Sequence, residues 1–516
     1  MVNRTETKAE VNNGRRGLTQ RAALLMAANV CATIISFALP LVLVRTMSQS
    51  EYGLYKQAFQ IMLSALGLLN LQVAVSVFYF SERAPAKRLQ VSLNVMLFYS
   101  ALGLLVFLVF LLWPGWVNLI FKDGSLLVPH IPLLGFAIFC WLVSTNLDAV
   151  PIAAGDVRIA SGLIVLAQLS KAIIMIAAAL VFGTLDAILV AAIIQGMVQT
   201  AFMVAYIRRR FGRFLAPIDW PLLRAQIGNA LPFGIGGIAA IVQNDMHSYF
   251  VSHYFVAATF AIYAVGCFQL PLLGMLATSF ASALNPELAK HKELGDHRAI
   301  IDLWMEVIRK LGMIFVPAFA LLLVMRREII TLLFTANYAE SVPIFAINLI
   351  TVLIGVFVHL HILRLFDQLK FFRLKLYLAL IPVTWGALYF GLRTGGLVGV
   401  AVAVACIQTL DFGITLARIK RELRMTSHDL RLLTPLLRIA TAAAVASLVT
   451  VIIRFTLLHA HVLTTLMACA AAFGLTYISI SFVVGVVSEG EKEWMRKLWS
   501  KLSRNGSNRM SSATEG

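Results

Sequence analysis

The stretch LQVSLNVMLFYSALGLLVFLVFLL, residues Leu89–Leu112, contains 24 residues and none of them is charged. As an α-helix it would be about 36 Å long, which exceeds the roughly 30 Å thickness of the hydrocarbon core of a bilayer. Backbone N–H and C=O groups cannot face lipid unpaired, so such a stretch crosses a membrane as a helix. Lys87 and Arg88 precede it, and Trp113 and Trp116 follow it. A basic cytoplasmic end and an aromatic interfacial end are typical of a membrane span.

The same pattern recurs along the whole chain of 516 residues. With 60% hydrophobic and 13% charged residues and a mean hydropathy of +0.85, the composition excludes a soluble protein of this length. The predicted fold class is an all-α polytopic membrane protein with about fourteen transmembrane helices. The predicted spans are Gln20–Val44, Leu54–Phe80, Leu89–Leu112, Val128–Val150, Ala160–Val181, Leu185–Tyr206, Ile227–Phe250, Ala257–Leu284, Val307–Met325, Val342–Leu363, Phe372–Leu392, Gly395–Ala417, Leu433–Val451 and Leu463–Val487.

The basic residues divide unevenly between the two sides of these spans. Of the 43 Lys and Arg residues, 35 fall on one side, seven on the other, and Lys171 lies within a span. Cytoplasmic loops collect Lys and Arg, so the rich side is predicted to be cytoplasmic and both termini lie there. The net charge of +18 therefore reflects topology in the cytoplasmic membrane, and nucleic acid is not an expected partner.

A weak internal repeat predicts how the spans are grouped. The segment RTMSQSEYGLY, Arg45–Tyr55, aligns with HYFVAATFAIY, His253–Tyr263, at an offset of 208 residues, and both lie at outside turns. Six spans separate them, so the two halves share one orientation, as in transporters built from parallel repeats. The predicted organisation is a disordered cytoplasmic N-terminus (1–18), an N-terminal six-helix bundle (19–210), a connector (211–226), a C-terminal six-helix bundle (227–418), helices 13 and 14 (433–487) and a basic amphipathic cytoplasmic tail (488–516).

Lys171 is the charged residue most clearly inside a span. A charge near the middle of the bilayer costs at least about 2.5–3.5 kcal/mol, so it calls for a functional or structural explanation. Gln168 lies one turn earlier on the same helix face. One interpretation is a cationic contact for an anionic substrate in a hydrated cavity. The other is a structural ion pair with an acid on a neighbouring helix.

Other polar residues cluster within spans 7, 8 and 12. A helix that is polar on several sides lines water or protein and does not face lipid. Asp245 could serve as a counter-ion, a cation site or a proton carrier, and His247 could titrate near neutral pH, although simple hydrogen bonding between helices explains both equally well. The remaining candidates in these spans are Gln243, Asn244, Gln269 and Asp411.

The polar distribution also bears on the substrate class. A sugar chain presents many hydroxyl groups, each costing about 1–3 kcal/mol if it is buried unpaired, and amide-rich helices meet that demand. The sequence contains no Walker A motif and no HExxH motif. We therefore expect neither an enzyme nor a bound cofactor, and we read the five cysteines, all within spans, as packing residues.

Three segments resemble the polysaccharide (O-antigen type) flippase family of the multidrug/oligosaccharidyl-lipid/polysaccharide (MOP) superfamily. They are Arg45–Tyr55, Asp245 followed by Phe260–Tyr263, and LFTANYAES at Leu333–Ser341. The resemblance implies two six-helix bundles that face a central cavity. It also implies alternating access that carries a polyprenyl-diphosphate-linked glycan from the inner to the outer leaflet. In the family a basic residue often follows the span 7 acid, whereas this chain has Met246 there.

The hypothesis that combines these inferences is a lipid-linked oligosaccharide flippase. Lys171 and Arg45 would attract the diphosphate, and Asp245, His247 or Asp411 would couple transport to an ion gradient. The expected partners are the lipid-linked glycan, membrane lipids, and a polysaccharide polymerase and glycosyltransferases. The residues that would meet sugar hydroxyls are Gln168, Gln243, Asn244 and Gln269.

Two alternative functions stay open at this point. A cation-coupled multidrug exporter of the same superfamily would be favoured by an acidic, aromatic cavity. A non-transporting membrane scaffold of a glycan-assembly complex would tolerate substitutions of every polar residue in the spans.

Overall fold

The computed structural model describes residues 3–212, 216–369, 371–426, 428–429, 433–457 and 461–486, with side chains from Leu24 onward except those of Phe233 and Asp367. Among these residues the secondary structure consists of α-helices and short 3-10 helices, without a β-strand. This confirms the all-α fold class. The predicted tail (488–516) lies outside the described residues, as do residues 213–215 of the predicted connector.

The α-helices are numbered in chain order. They are α1 (Asn3–Thr46), α2 (Gln49–Asn70), α3 (Ser76–Arg83), α4 (Arg88–Leu112), α5 (Val117–Ile120), α6 (Gly124–Leu127), α7 (Ile131–Val143), α8 (Ala149–Ala153), α9 (Val157–Val181), α10 (Leu185–Phe211), α11 (Trp220–Tyr254), α12 (Ala257–Gly266), α13 (Pro271–Glu293), α14 (His297–Val324), α15 (Arg326–Phe334), α16 (Val342–Asn348), α17 (Ile350–Gly355), α18 (His359–Leu363), α19 (Phe372–Glu422), α20 (Thr434–Thr456) and α21 (Val462–Val483). The 3-10 helices include Val73–Val75, Pro85–Lys87, Pro114–Trp116, Val128–His130, Ala336–Ser341 and Asp367–Leu369.

Ten helices in the described part of the chain are long and apolar enough to cross a membrane. Three further pairs of helices pass the same test together but are bent at a short break, which raises the number to 13 if each pair is one span. The chain is thus a polytopic membrane protein, as predicted, while the count of fourteen stays a prediction. The bent pairs are Gln49–Asn70 with Val73–Arg83, Trp220–Pro232 with Gly234–Tyr254, and Ala257–Gly266 with Pro271–Glu293.

Helix α19 is divided by a glycine pair. Its 51 residues would extend about 76 Å as a straight helix, more than twice the hydrocarbon thickness. Gly395 and Gly396 depart from helical geometry, and Gly396 has a φ of +55°, which glycine adopts without a steric penalty. Gly391 and Gly399 lie in direct backbone contact, so the chain reverses between them. The reversal lies at the boundary predicted between spans 11 and 12.

Helix α1 begins at Asn3, within the segment 1–18 that the polar composition predicts to be disordered. No proline interrupts the sequence before Pro40, so nothing in the chain forces the helix to end between the first apolar span and the polar segment. The helical backbone therefore continues from the span towards the N-terminus.

The described chain folds into two compact units. The first comprises the residues up to Met275 together with Leu333–Asn348 and Asp367–Asp411. In this unit α1 packs against α9, α4 against α7, α10 against both α7 and α9, and α2 against α11 and α12. Large side chains with almost no exposed surface fill its core, among them Tyr52, Tyr99, Phe250 and Tyr263.

The second unit comprises Leu276–Leu332, Leu349–Phe366 and the described residues from Phe412 onward. Here α14 packs against α17 and α20, and α20 packs against α21. The buried indole of Trp304 donates a hydrogen bond of 2.7 Å to the carbonyl of Phe357. An ion pair of 2.7 Å between Arg454 and Glu328 joins α20 to α15.

Candidate functional site

The first unit contains a polar cavity of about 460 Å³, which we call the Lys171 cavity. It brings together the mid-span lysine and several amide and hydroxyl side chains from four helices. A cavity of this size and polarity can hold a hydrated polar group of a substrate. It is lined by Asn29, Leu66, Gly67, Asn70, Trp141, Ser144, Thr145, Leu147, Asp148, Ile164, Ala167, Gln168, Lys171 and Gln199.

Lys171 is held against an aromatic ring. Its Nζ lies 4.8 Å from the centre of the Trp141 ring, at a distance that permits a cation–π interaction. Trp141 is fixed in turn because its Nε1–H donates a hydrogen bond of 2.8 Å to the carbonyl of Ala192. The ion pairs formed by the described residues do not include Lys171. The geometry therefore favours a cation available to a ligand over a structural ion pair.

Two glutamines that line the same cavity have partners for their amide oxygens. The Oε1 of Gln168 accepts a hydrogen bond of 2.9 Å from Ser36, and the Oε1 of Gln199 accepts one of 2.9 Å from Ser144. Since each oxygen is engaged by a hydroxyl donor, the amide N–H groups remain as donors for the oxygen atoms of a ligand. Asp148 also lines the cavity, and its Oδ1 accepts the N–H of Ala149.

A second cavity of about 420 Å³ surrounds Asp245, and we call it the Asp245 cavity. The Oδ2 of Asp245 accepts a hydrogen bond of 2.5 Å from Ser64, whose oxygen accepts one of 3.1 Å from Gln60. The other side chains around the carboxylate are mostly apolar or aromatic. The cavity is lined by Ser64, Leu68, Leu119, Ile120, Ile241, Val242, Asp245, Met246, Tyr249, Phe250, His253 and Trp385.

Helix α2 forms a wall of both cavities. Ser64 and Leu68 line the Asp245 cavity, whereas Leu66, Gly67 and Asn70 line the Lys171 cavity. Only the thickness of one helix therefore separates the two cavities.

Immediately after this wall the chain bends by 50° between α2 and α3. Leu71 and Gln72 have positive φ angles of 46° and 59°, a conformation that non-glycine residues seldom adopt. The buried hydroxyl of Tyr99 bridges the bend, because it donates to the carbonyl of Asn70 at 2.6 Å and accepts the N–H of Ala74 at 2.9 Å. A tertiary contact thus stabilises a break that neither glycine nor proline causes.

Three of the predicted sugar contacts lie outside both cavities. Gln243 is only 8% exposed and donates a hydrogen bond of 2.7 Å to Thr384, so it joins α11 to α19. Asn244 is exposed on the neighbouring face of α11, and Gln269 is exposed in the break between α12 and α13. Of the predicted amides, the Lys171 cavity contains Gln168.

Two of the predicted ion-coupling residues are also engaged elsewhere. The Nδ1 of His247 lies 2.9 Å from the hydroxyl of Tyr263, a residue with almost no exposed surface. Asp411 accepts hydrogen bonds of 2.8 and 3.2 Å from Arg373, and the two side chains are 22% and 21% exposed. The reversal of α19 brings these two charges together. Asp245 is the predicted acid that lines a cavity.

Arg45 does not line either cavity. Its guanidinium donates to the carbonyls of Leu41 and Leu333, at 2.5 and 2.8 Å. Nearby, Gln49 donates a hydrogen bond of 2.5 Å to the carbonyl of Asn337. Arg45 therefore binds the segment 333–341.

The segments that carry the family resemblance meet at this place. The ring of Tyr52 contacts that of Tyr338 edge-on at 5.9 Å, and Gly53 lies so close to Ala257 that a Cβ atom there would overlap the Ala257 carbonyl. The motifs Arg45–Tyr55 and Leu333–Ser341 thus pack together with α12, the helix that carries Phe260–Tyr263, whereas Asp245 lies in its own cavity. Among the described residues, no group of three or more His, Cys, Asp and Glu side chains has the geometry of a metal site.

Comparison with known proteins identifies the family of the chain. The model of a family described as "polysaccharide biosynthesis protein" matches residues 42–343. The chain belongs to this polysaccharide biosynthesis family. The matched region contains every residue that lines the Lys171 cavity except Asn29, and every residue that lines the Asp245 cavity except Trp385. Among curated proteins, none matches the chain by sequence.

Solved structures show that this member of the polysaccharide biosynthesis family has the MOP transporter fold. The lipid II flippase MurJ in an inward closed conformation has 12% identity and a TM-score of 0.63, over 89% of this chain and 98% of MurJ. An inward-facing multidrug resistance transporter of the MATE family has 14% identity and a TM-score of 0.58, over 77% of this chain and 96% of that one. A MOP superfamily transporter from Pyrococcus furiosus, described by the reverse polarity of its binding pocket, has 12% identity and a TM-score of 0.52. The match covers 79% of this chain and 96% of that one.

Sequence reasoning missed the aromatic partner of Lys171. Trp141 lies in an apolar helix, where its spacing resembles that of any packing residue, and only the packing of α7 against α10 and α2 places it at the cavity. Gln199 and Asn70 are recognisable in the sequence as mid-span amides, but their convergence on Lys171 depends on the rotation of three helices.

Proposed function

We propose that this protein is a flippase that moves a polyprenyl-diphosphate-linked oligosaccharide from the inner to the outer leaflet of the cytoplasmic membrane, with both termini in the cytoplasm. The observation that carries the proposal is the Lys171 cavity, a polar space of about 460 Å³ within the spans that holds an ammonium group on Trp141. Membership of the polysaccharide biosynthesis family supports it. So does the fold, which is shared with a protein described as a lipid II flippase.

The chemistry of this cavity suits a diphosphate and the first sugar attached to it. Hydrogen bonds between an ammonium and a phosphate oxygen are charge-assisted and about twice as strong as neutral ones. The amide N–H groups of Gln168 and Gln199 supply donors to the hydroxyl and phosphate oxygens of the same ligand. An apolar polyprenyl chain gains nothing in a polar cavity, so it stays in the lipid while the head group crosses.

Arg45 has a different role in this proposal. Its guanidinium binds the carbonyls at residues 41 and 333, so it stabilises the contact between the family motifs and does not reach the diphosphate in this conformation. Opening that contact would break these hydrogen bonds and also the packing of the buried Tyr52 ring against Tyr338.

For energy coupling we propose Asp245. It lines a cavity and accepts a hydrogen bond from the neutral hydroxyl of Ser64, so its carboxylate is available to bind a proton or another cation. His247 and Asp411 are occupied by Tyr263 and Arg373. Because α2 separates the two cavities, binding of a proton or another cation at Asp245 would act on the Lys171 cavity through Ser64 and helix α2.

A cation-coupled multidrug exporter is the second candidate function. The Asp245 cavity is acidic and aromatic, which is the feature that favours this alternative. The family match argues for the flippase, since it concerns polysaccharide biosynthesis. The family and the structural neighbours are transporters, which supports a transport function in preference to an enzymatic one.

The test is a deletion strain in which lipid-linked glycans of the inner membrane are extracted and identified by mass spectrometry. We expect the polyprenyl-diphosphate glycan to accumulate and surface polysaccharide to be lost, and expect rescue by the wild type but not by Lys171→Met. Lys290→Met, at an exposed lysine of α13, is the matched control and should rescue fully. An unchanged lipid pool together with altered drug sensitivity would support the exporter instead, and full rescue by Lys171→Met would refute the assigned site.

A further inference from the structure

The amide side chains of the Lys171 cavity offer a ligand mainly hydrogen-bond donors. The side-chain oxygens of Gln168, Gln199 and Asn70 each accept a hydrogen bond of 2.9 to 3.1 Å from a hydroxyl group of the protein. Their amide nitrogens and the Nζ of Lys171 therefore face the ligand as donors. Phosphate oxygens accept hydrogen bonds, so this set suits a diphosphate. It leaves the O–H donors of an attached sugar in need of an acceptor.

Asp148 supplies the acidic side chain of the same cavity. Its Oδ1 accepts the N–H of Ala149 at 2.9 Å, which orients the carboxylate at the start of α8. The side chain is exposed, and the ion pairs formed by the described residues include neither Asp148 nor Lys171. The Oδ2 of Asp148 is therefore an acceptor that the protein leaves available to a ligand.

Asp148 and Lys171 lie at different depths along the cavity. Lys171 lies about 21 Å along α9 from its first residue, Val157, and thus near the middle of a span. Asp148 directly precedes α8, which residues 154–156 connect to the beginning of α9. In the proposed topology this beginning is the cytoplasmic end. Asp148 is therefore the more cytoplasmic of the two groups, and Lys171 the deeper one.

We propose that Asp148 selects the sugar attached to the diphosphate, by accepting hydrogen bonds from its hydroxyl groups while the diphosphate lies at Lys171. A carboxylate repels a phosphate, whereas hydrogen bonds from a hydroxyl to a carboxylate are short and strong. A bare polyprenyl diphosphate would leave the carboxylate without a donor, so the cavity would favour the glycosylated lipid over its empty carrier. This inference rests on the proposed flippase function.

The test compares the bare lipid with the glycosylated one. The probes are undecaprenyl diphosphate and the same lipid carrying one glucose, galactose or N-acetylglucosamine, and their binding to the full chain in lipid nanodiscs is measured by native mass spectrometry. We expect the wild type to bind the glycosylated probes about tenfold more tightly than the bare lipid. Asp148→Asn should weaken binding of the glycosylated probes about tenfold. It should leave binding of the bare lipid unchanged or tighter, because a repulsive charge is removed.

Three further variants make the result specific. Asparagine and serine both cap helices well, so Asp148→Asn and Asp148→Ser should keep α8 intact and should agree with each other. Lys171→Met should weaken binding of both lipids. Glu287→Gln makes the same change of charge at an exposed position of α13 and should alter neither.

The possible failures are distinguishable. Equal binding of bare and glycosylated lipid by the wild type, or an equal effect on both lipids in the two Asp148 variants, would overturn the role of Asp148. The flippase proposal would then stand if Lys171→Met weakens both. Unchanged binding of both lipids in Lys171→Met would show that the diphosphate does not bind in this cavity, and would overturn both proposals together.

Discussion

The Nζ of Lys171 lies within the spans, in contact with an indole ring. The ring lies 4.8 Å from the ammonium and is itself fixed to the carbonyl of Ala192. An ammonium over a ring retains free N–H donors. An ammonium in an ion pair would first have to release its carboxylate partner before it could bind phosphate. In the proposed flippase, the pair Lys171–Trp141 would therefore serve as the anion contact.

Removing the ring should impair transport while the lysine remains. We expect Trp141→Leu to slow appearance of the glycan in the outer leaflet by about 5- to 30-fold, because it loses a cation–π interaction of about 1–2 kcal/mol. Trp141→Phe keeps a ring face and should retain most of the activity. The measurement is the initial rate of glycan translocation in a complemented deletion strain, normalised to membrane protein level. Equal rates in the Leu and Phe variants would show that the ring face is irrelevant.

Asp219, directly before α11, gives a prediction about pH. The ammonium of Lys87, 2.7 Å away, and the N–H of Leu222 hold the pKa of Asp219 below its ordinary value. A lowered pKa in the folded state stabilises the protein above the unfolded-state value of about 3.9, and this contribution is lost as the pH falls through the lower folded-state pKa. The melting temperature of Asp219→Asn should thus lie below that of the wild type at pH 6, with a difference that shrinks below about pH 4. A difference that is constant over this range would contradict the assignment.

The sequence predicted part of this residue-level picture. It singled out Lys171, Gln168 and Asp245 because ionisable and amide groups inside a span are costly and conspicuous. It also singled out Gln243, whose hydrogen bond to Thr384 is structural. Composition cannot distinguish a polar residue that lines a cavity from one that pairs with its neighbour, since the difference lies in the rotation of the helix.

At the scale of elements, the break between α2 and α3 and the reversal of α19 have different origins. The reversal of α19 at Gly395 and Gly396 lies where the sequence predicts the boundary between spans 11 and 12. The break after Asn70 was not predicted, because Leu71 and Gln72 carry no signal of a left-handed turn. It depends on the hydroxyl of Tyr99, which reaches across from α4.

Tyr99→Phe should therefore destabilise this bend. The variant leaves the carbonyl of Asn70 and the N–H of Ala74 without their bridging hydroxyl, which should cost about 1–3 kcal/mol. We expect a lower melting temperature and faster proteolysis or hydrogen exchange in residues 70–76. Tyr389→Phe, which removes a hydroxyl from an exposed position of α19, is the control. It should leave proteolysis and hydrogen exchange in residues 70–76 and the melting temperature unchanged. Identical exchange in the two variants would show that the bend does not need the hydroxyl.

The contact between α2 and α12 predicts a strict size limit at one position. A Cβ atom at Gly53 would overlap the carbonyl of Ala257, so Gly53→Ala should separate the two helices or strain them at a cost of about 1–3 kcal/mol. Gly162→Ala is the matched control, because a Cβ in that helix meets no atom within 4 Å. The free energy of unfolding of the control should be unchanged or higher by up to about 1 kcal/mol. Thermal unfolding of the purified variants distinguishes the two, and equal melting temperatures would refute the close contact.

For the whole molecule, the physical chemistry of the bilayer made the fold class predictable. Apolar stretches of about 20 residues have no alternative to helices in lipid, and those in the described part of the chain are helical apart from short breaks. The number of spans was harder to predict, because three of them are bent pairs and one long helix reverses on itself. Hydropathy alone does not show where a span is interrupted.

The charge distribution gives a prediction at this scale. With 35 of 43 basic residues on one side, we expect both termini to be cytoplasmic. A fluorescent protein that matures only in the cytoplasm should fluoresce when fused after residue 516, whereas a phosphatase that folds only outside should be active when inserted near Asp123. A fusion that does not fluoresce after residue 516, together with an inactive phosphatase near Asp123, would indicate the opposite topology.

The shared wall formed by α2 has a practical consequence for inhibition. A compound bound beside Asp245 would not have to compete with the glycan for the Lys171 cavity. It would slow transport by acting across helix α2, which lies between the two cavities. Such an antagonist would be non-competitive towards the glycan. Resistance to it could then arise on the far face of the helix, at Leu66, Gly67 or Asn70, where the compound makes no contact.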